Sequence, residues 1–281
     1  MPWCHVQHAR ALHSERAITA ELHDLHDAMM LFENAQAEAT IGELPQGWCD
    51  VVGGGRMGIA MAAALQRAHV PVRGPLGRGA DAEGAAIVLL CVPDRAIGQA
   101  SAKLRPGAIV GHVSASADLT LLAPHERFLL HPLLSVIGSD ASFEGVACAV
   151  DGSSARALAV ARALASRLAM RPRVILPEQR ALYHAAASAA SNYLTTVEGM
   201  AERLGALVGL DRGDLMPLVN SAVAHWRDGG ARVALTGPIA RGDEETVARQ
   251  RAAVSDAAPE LLPLWDALTA ATRELARAPK S

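Results

Sequence analysis

The sequence predicts an α/β domain with a mostly parallel sheet followed by an all-α domain, and three observations carry that prediction. A short apolar strand, "WCDVV" (48–52), runs straight into a glycine turn and a helix pattern, "GGGRMGIAMAAALQRAH" (53–69). Strand-like runs then alternate with helix-like ones as far as "RVILPE" (173–178), the pattern of a parallel sheet with both faces covered. Beyond that point the strand signals stop and only helical periodicity continues.

Taken in order, residues 1–46 read as an extension, a mobile or loosely helical tail with a helix-like stretch from Ser14 to Ala39. His5, His8, His13, His23 and His26 crowd there with Cys4, but their spacing fits no closed zinc pattern, so no metal site is expected. Residues 47–176 form the sheet domain. After the first strand, "VPVR" (70–73), "AAIVLLCV" (85–92), "GAIVGHV" (107–113), "RFLLH" (127–131) and "GVACAV" (145–150) read as strands. Asp94 is placed to cap a helix over 95–104 that Gly107 closes, and Ser153 to cap an arginine-studded helix reaching about Met170. Residues 177–281 form the helical domain, with helices expected over Glu178–Val208, Gly213–Arg227, Asp243–Asp256 and Pro259–Ala278.

Composition excludes several functions. The chain has 281 residues, 51% of them hydrophobic but only 3% aromatic, so its core is built from Ala, Leu and Val. A formal net charge of -3 leaves no electrostatic footprint for nucleic acid. The four cysteines, Cys4, Cys49, Cys91 and Cys148, make no C-x-x-C pair, which fits a reducing cytoplasm. The longest apolar run, around "AAIVLLCV", is far short of the roughly 20 residues that span a bilayer, and no signal-peptide core precedes it. Lys103 and Lys280 are the only lysines, so a lysine-based mechanism is nearly excluded.

Gly53, Gly55 and Gly58 form G-x-G-x-x-G between the first strand and the first helix. In that frame the glycines allow the tight turn, the close approach of a pyrophosphate and the packing of helix on strand, the Rossmann dinucleotide fingerprint. Arg56 and Met57 at the helix start, and Val92 and Pro93 in "CVPD" (91–94), complete the candidate cofactor site. Where an NAD site would place an acid at the end of the second strand, this chain has Arg73, with Arg78 nearby. That favours the 2'-phosphate of NADP, against the alternative of two solvated surface arginines. The stretch from Arg73 to Gly84 is too short for the helix and third strand of a full Rossmann half.

Ser114 in "HVSAS" (112–116) is placed either to hold a substrate oxygen or to cap a helix beginning near Asp118. His131 in "HPL" (131–133) either points into the crevice at the strand ends or bonds a backbone carbonyl. In "YHAAASAASNYL" (183–194), His184, Ser188 and Asn192 recur at steps of four, within roughly 80° on a helix. The surrounding alanines, leucines and tyrosines make that helix read as buried.

These motifs, with "LTGPIARGD" (235–243), resemble in order and combination a bacterial family that joins a Rossmann-like NADP-binding domain to a C-terminal domain of unknown function, number 2520. The likeness runs from about Val51 to the C-terminus. The family is similar in layout to ketopantoate and pyrroline-5-carboxylate reductases, β-hydroxyacid dehydrogenases and deazaflavin-dependent NADP reductases. The resemblance implies a helical domain like the C-terminal domain of 6-phosphogluconate dehydrogenase, a homodimer, and a long helix that presents polar groups to the nicotinamide. It also implies an NADP-dependent oxidoreductase acting on a small carbonyl or imine substrate; His184 is the candidate proton donor, with Ser188 and Asn192 orienting the substrate oxygen, against the alternative that all three satisfy buried backbone carbonyls. The alternative is a non-catalytic NADP(H)-binding sensor or scaffold. Arg241 is a candidate grip for a substrate carboxylate or a partner for an acid across a subunit interface. The chain departs from the family in lacking a usable lysine in the second domain, in reading Ser114-Ala115-Ser116 for Ser-Gly-Ala, and in carrying His225 where an asparagine is expected.

Overall fold

A computed structural model describes residues 43–278; the expected N-terminal extension lies almost wholly outside them. The chain forms two compact units and passes from one to the other between Ala185 and Ala186.

The first unit is built on seven strands: β1 (Trp48–Val52), β2 (Val72–Leu76), β3 (Ala85–Leu90), β4 (Ile109–His112), β5 (Arg127–Pro132), β6 (Ala147–Gly152) and β7 (Arg171–Val174). Their order in the sheet is β2-β1-β3-β4-β5-β6-β7. All neighbours are parallel except β5 and β6, so the carboxyl ends of β1 to β5 share one edge. Helices α1 (Arg56–Arg67), α2 (Asp94–Ser101) and α3 (Ala155–Arg167) cover the sheet. Val51, Leu89, Phe128 and Leu130 pack on one face with Met61, Leu65 and Leu164 of α1 and α3. Val88, Val110 and Leu129 pack on the other with Ile97 of α2 and Leu122. As expected from the short connection, residues 77–84 contain no helix.

Four local expectations are corrected. β2 runs on to Leu76 rather than ending at Arg73. It is an edge strand, where Pro75 removes no ladder hydrogen bond that the sheet needs. Asp94 lies inside α2, whose N-cap is Pro93 with no side-chain cap; its carboxylate instead accepts from Ser116 Oγ at 2.7 Å. Ser154, not Ser153, caps α3 by accepting from the Ala157 N–H at 3.1 Å, while Ser153 Oγ accepts from the Arg127 N–H. Ser114 caps no regular helix, since Asp118 caps the short 3-10 turn Leu119–Leu122.

Helix α4 (Arg180–Ser188) continues through a π turn (Ala189–Tyr193) into α5 (Leu194–Ala206), followed by α6 (Arg212–Ala234), α7 (Gly237–Arg241), α8 (Glu244–Ala257) and α9 (Leu262–Arg277). Within the second unit, Met200, Val254, Ala258 and Leu261 form a small core. Asp243 caps α8 as expected, accepting from the Thr246 N–H at 3.1 Å. Helix α6 extends seven residues past its expected end at Arg227, across a kink at Gly230 where φ is 71°.

The reading of a buried helix at 183–194 is overturned. Leu182 is 76% exposed and Tyr193 65%. Apolar spacing identifies a surface that wants cover; it does not say that this chain supplies it. The π turn also adds a residue to the turn between Ser188 and Tyr193, so the even four-residue stripe is not a regular α-helical face.

Candidate active site at the carboxyl edge of the sheet

The strand ladder continues beyond the strand ends. The Gly53 N–H donates to Leu76 O at 2.8 Å, Cys91 N–H to Val52 O at 2.7 Å, and Val113 N–H to Leu90 O at 3.3 Å. This sets the glycine turn, "CVPD" and "HVSAS" side by side at one edge, where open α/β sheets bind ligands.

Gly53 has φ +123°, and a Cβ there would lie 2.3 Å from Cys91 O; a Cβ on Gly58 would lie 1.8 Å from Gly53 O. Both positions are closed to any other residue. Gly54 and Gly55 are the reverse, with nothing within 4 Å of a Cβ. Open space therefore lies against the bare backbone of the turn. Gly55 is the N-cap of α1 and supplies no side-chain cap, and the first turn of α1 carries no acid. The orphan N–H groups and the positive end of the helix are left for an anion. Arg56, Arg78 and Arg95 are exposed close by in sequence to this edge, and among the described residues none pairs with a carboxylate, unlike Arg73, Arg105 and Arg156. The residues present fit a dinucleotide diphosphate.

Arg73 is not available for its expected role. It stands opposite Asp50 in register and binds that fully buried carboxylate through Nε at 2.6 Å and Nη2 at 2.7 Å, with Nη2 also donating to Glu83 O. Its guanidinium lies over the Trp48 ring at 5.8 Å. A buried carboxylate in an apolar sheet needs such a partner. Arg78 lies two residues past the end of β2 and is exposed.

Ser114 is buried, and its Oγ accepts from the Ser116 N–H at 3.2 Å and the Ala117 N–H at 3.0 Å. It shapes its own turn, and its acceptor capacity is taken. Met57 is half-buried and Val92 buried, whereas Pro93 is exposed. His184 and Asn192 are exposed and Ser188 half-buried; Arg241 is exposed in the last turn of α7, without a partner among the described residues.

The structure also assembles, around His131, a polar group whose other members sequence reasoning missed. His112 lies opposite Leu90 and Leu129, Leu129 lies opposite Asp151, and His131 follows Leu129 by two residues. All three polar side chains thus share one face of the sheet. From α4, Arg180 reaches this face, ion-paired to Asp151 and donating to Ala117 O at 3.4 Å, and Tyr183 bonds His131 Nδ1 at 2.8 Å. Arg180 is only 6% exposed. An arginine on an alanine-rich helix gives no local sign of this in the sequence, and Tyr183 reads there only as apolar surface.

Burial, then the Arg180 charge, pushes the His112 imidazole down to about 4; burial, then neighbouring His184, does the same to His131. Burial raises the Tyr183 phenol to about 12. His112 Nδ1 accepts from the Ser114 N–H at 3.2 Å, so Nε2 carries the hydrogen, and it meets no acceptor among the described residues. Both histidines are neutral when folded and protonate more readily when unfolded. The unfolded chain therefore binds more protons between about pH 6.5 and 4, and stability falls as pH falls through that window, by up to about 1.4 kcal/mol per pH unit for each group. Urea midpoints between pH 7 and 4.5 are expected to show this slope, and His112→Asn to flatten it.

Comparisons with known proteins place this geometry. Residues 146–272 match the family model described as domain of unknown function DUF2520. A search of curated proteins returns no match. A Bacteroides fragilis protein provisionally described as an NADP oxidoreductase superposes with TM-score 0.70 at 20% identity, over 83% of this chain and 100% of its own. A Thermotoga maritima protein superposes with TM-score 0.67 at 22% identity, over 81% and 98%. The Plasmodium falciparum pyrroline carboxylate reductase, solved with NADP bound, gives TM-score 0.55 at 10% identity, over 83% and 100%. At these identities the likeness is one of fold. The chain has a Rossmann-like α/β fold followed by a helical C-terminal region, and its residues 146–272 match the DUF2520 model.

Proposed function

We propose that the protein is an NADP-dependent oxidoreductase that reduces a small carbonyl or imine compound. The observation that carries this reading is the glycine turn. Gly53 and Gly58 admit no side chain, Gly54 and Gly55 open onto free space, and α1 begins uncapped, an arrangement that suits a diphosphate. Fold relatives that bind NADP(H) by name support it. When bound, the cofactor supplies hydride to the substrate carbon. Arg78 holds the 2'-phosphate, His184 supplies the proton, Ser188 and Asn192 orient the substrate oxygen, and Arg241 grips a carboxylate. The homodimer belongs to the same reading. Helix α6 has no buried residue in the single chain and exposes Leu218 and Trp226.

Fluorescence titration with NADPH and NADH tests the reading. Saturable NADPH binding is expected, weakened about tenfold in Arg78→Ala with NADH unaffected, an effect of about 1.4 kcal/mol and typical of one exposed charge-assisted contact. A panel of 2-keto acids and cyclic imines then tests turnover. Failure of both nucleotides to bind defeats the proposal. A second reading, a nucleotide-binding sensor without turnover, is favoured by the helix-free connection between β2 and β3 and the absence of a usable lysine; binding without hydride transfer to any panel member selects it.

A further inference from the structure

His131 lies in the penultimate position of β5, at the carboxyl edge of the sheet. Its half-buried ring stands edge-on to Tyr183, with centroids 5.5 Å apart and planes at 86°. The Tyr183 hydroxyl lies 2.8 Å from His131 Nδ1 and 3.4 Å from the His131 carbonyl oxygen. A hydroxyl has one hydrogen to give, either to Nδ1 along the shorter contact or to the carbonyl while Nδ1–H donates to the hydroxyl oxygen. With Nδ1 accepting, a neutral imidazole carries its hydrogen on Nε2, which meets no acceptor among the described residues.

We propose that His131 offers this Nε2–H to the reacting oxygen or nitrogen of the substrate, as a neutral hydrogen-bond donor, and that Tyr183 is the positioning residue that fixes its tautomer. The proposal rests on the reductase reading above and adds a catalytic residue to it. Hydride addition to the substrate carbon moves the π pair of the C=O or C=N bond onto the heteroatom, where the donor meets the developing charge. The proton that completes the alcohol or amine comes from His184, because a neutral imidazole that gave up Nε2–H would become an anion. The groups that face His131 are Tyr183 and His184 from α4, Asp94 from α2 and His112 from β4. Asp94 favours the imidazolium, while burial and His184 oppose it, and the neutral donor is the form present near neutral pH.

Nitrogen-15 spectra of the histidine-labelled full chain, with His131 identified by its loss in His131→Gln, read the tautomer directly. The expected result is a bare Nδ1 and a protonated Nε2 that do not titrate between pH 5.5 and 8, with mixed tautomers in Tyr183→Phe. On the keto acid or imine that the panel identifies, His131→Ala is expected to lower kcat about 100-fold, the scale of losing one donor to a developing oxyanion, at unchanged NADPH affinity. His131→Gln, which keeps an N–H donor, recovers part of it, and Tyr183→Phe loses about tenfold. A protonated Nδ1 with a bare Nε2, a midpoint inside that pH range, or a kcat within twofold of wild type in His131→Ala overturns this proposal alone. Failure of the wild-type chain to bind NADPH overturns the reductase reading, and the catalytic role with it.

Discussion

Gly58→Ala is expected to abolish measurable NADPH binding, with a loss of at least 100-fold in affinity, and to lower stability as well. The added methyl would sit 1.8 Å from the Gly53 carbonyl oxygen and 3.3 Å from Cys91 Cβ. The first of these neighbours is backbone, so α1 must lift away from the turn that it closes. Overpacking in a well-ordered interior costs about 1–3 kcal/mol. Here the displacement also moves the N–H groups that would face the diphosphate, so binding and stability fall together. Gly54→Ala separates the two effects. Its Cβ meets no protein atom within 4 Å, so urea midpoints are expected to stay within about 0.5 kcal/mol of wild type. The methyl nevertheless enters the space against the turn that a diphosphate would fill, and NADPH affinity is expected to drop at least tenfold. Wild-type NADPH affinity in both variants would remove the turn from the account of function.

What could be read in the sequence was local. The glycine turn needs only the six residues from Gly53 to Gly58, and the Asp243 cap only the four from Asp243 to Thr246. Six of the seven strands are visible in the sequence because each is a short apolar segment between breakers. What could not be read depends on register between distant segments. Arg73 meets Asp50 across 23 residues, Arg180 meets Asp151 across 29, and Tyr183 meets His131 across 52. Each places a polar group where its own neighbours give no sign of a partner. Asp94 reads as a cap for the same reason, since its hydroxyl partner, Ser116, lies 22 residues on. The stripe at His184, Ser188 and Asn192 shows the complementary limit. A helical period can be counted, but neither the inserted π residue nor the exposure of Leu182 follows from it.

Arg73 and Arg78 are expected to separate under mutation. Arg73→Ala leaves the Asp50 carboxylate, 1% exposed at its side chain, without its bidentate partner. Stranding one member of a fully buried pair costs about 3–5 kcal/mol. Arg73 keeps 36% of its side chain in solvent, so water screens part of the interaction, and a loss of roughly 2 kcal/mol is expected. The pair is also asymmetric. In Asp50→Asn the arginine can turn to water and to the Glu83 carbonyl that it already meets, so that variant is expected to lose less than Arg73→Ala. Combining the two should recover part of the loss, because the alanine then no longer faces a buried charge. None of the three is expected to change NADPH affinity by more than about twofold, whereas Arg78→Ala changes affinity and leaves the urea midpoint alone. An Arg73→Ala protein as stable as wild type but weakened toward NADPH would return Arg73 to the cofactor site, and would mean that the Asp50 pairing gives way when nucleotide binds.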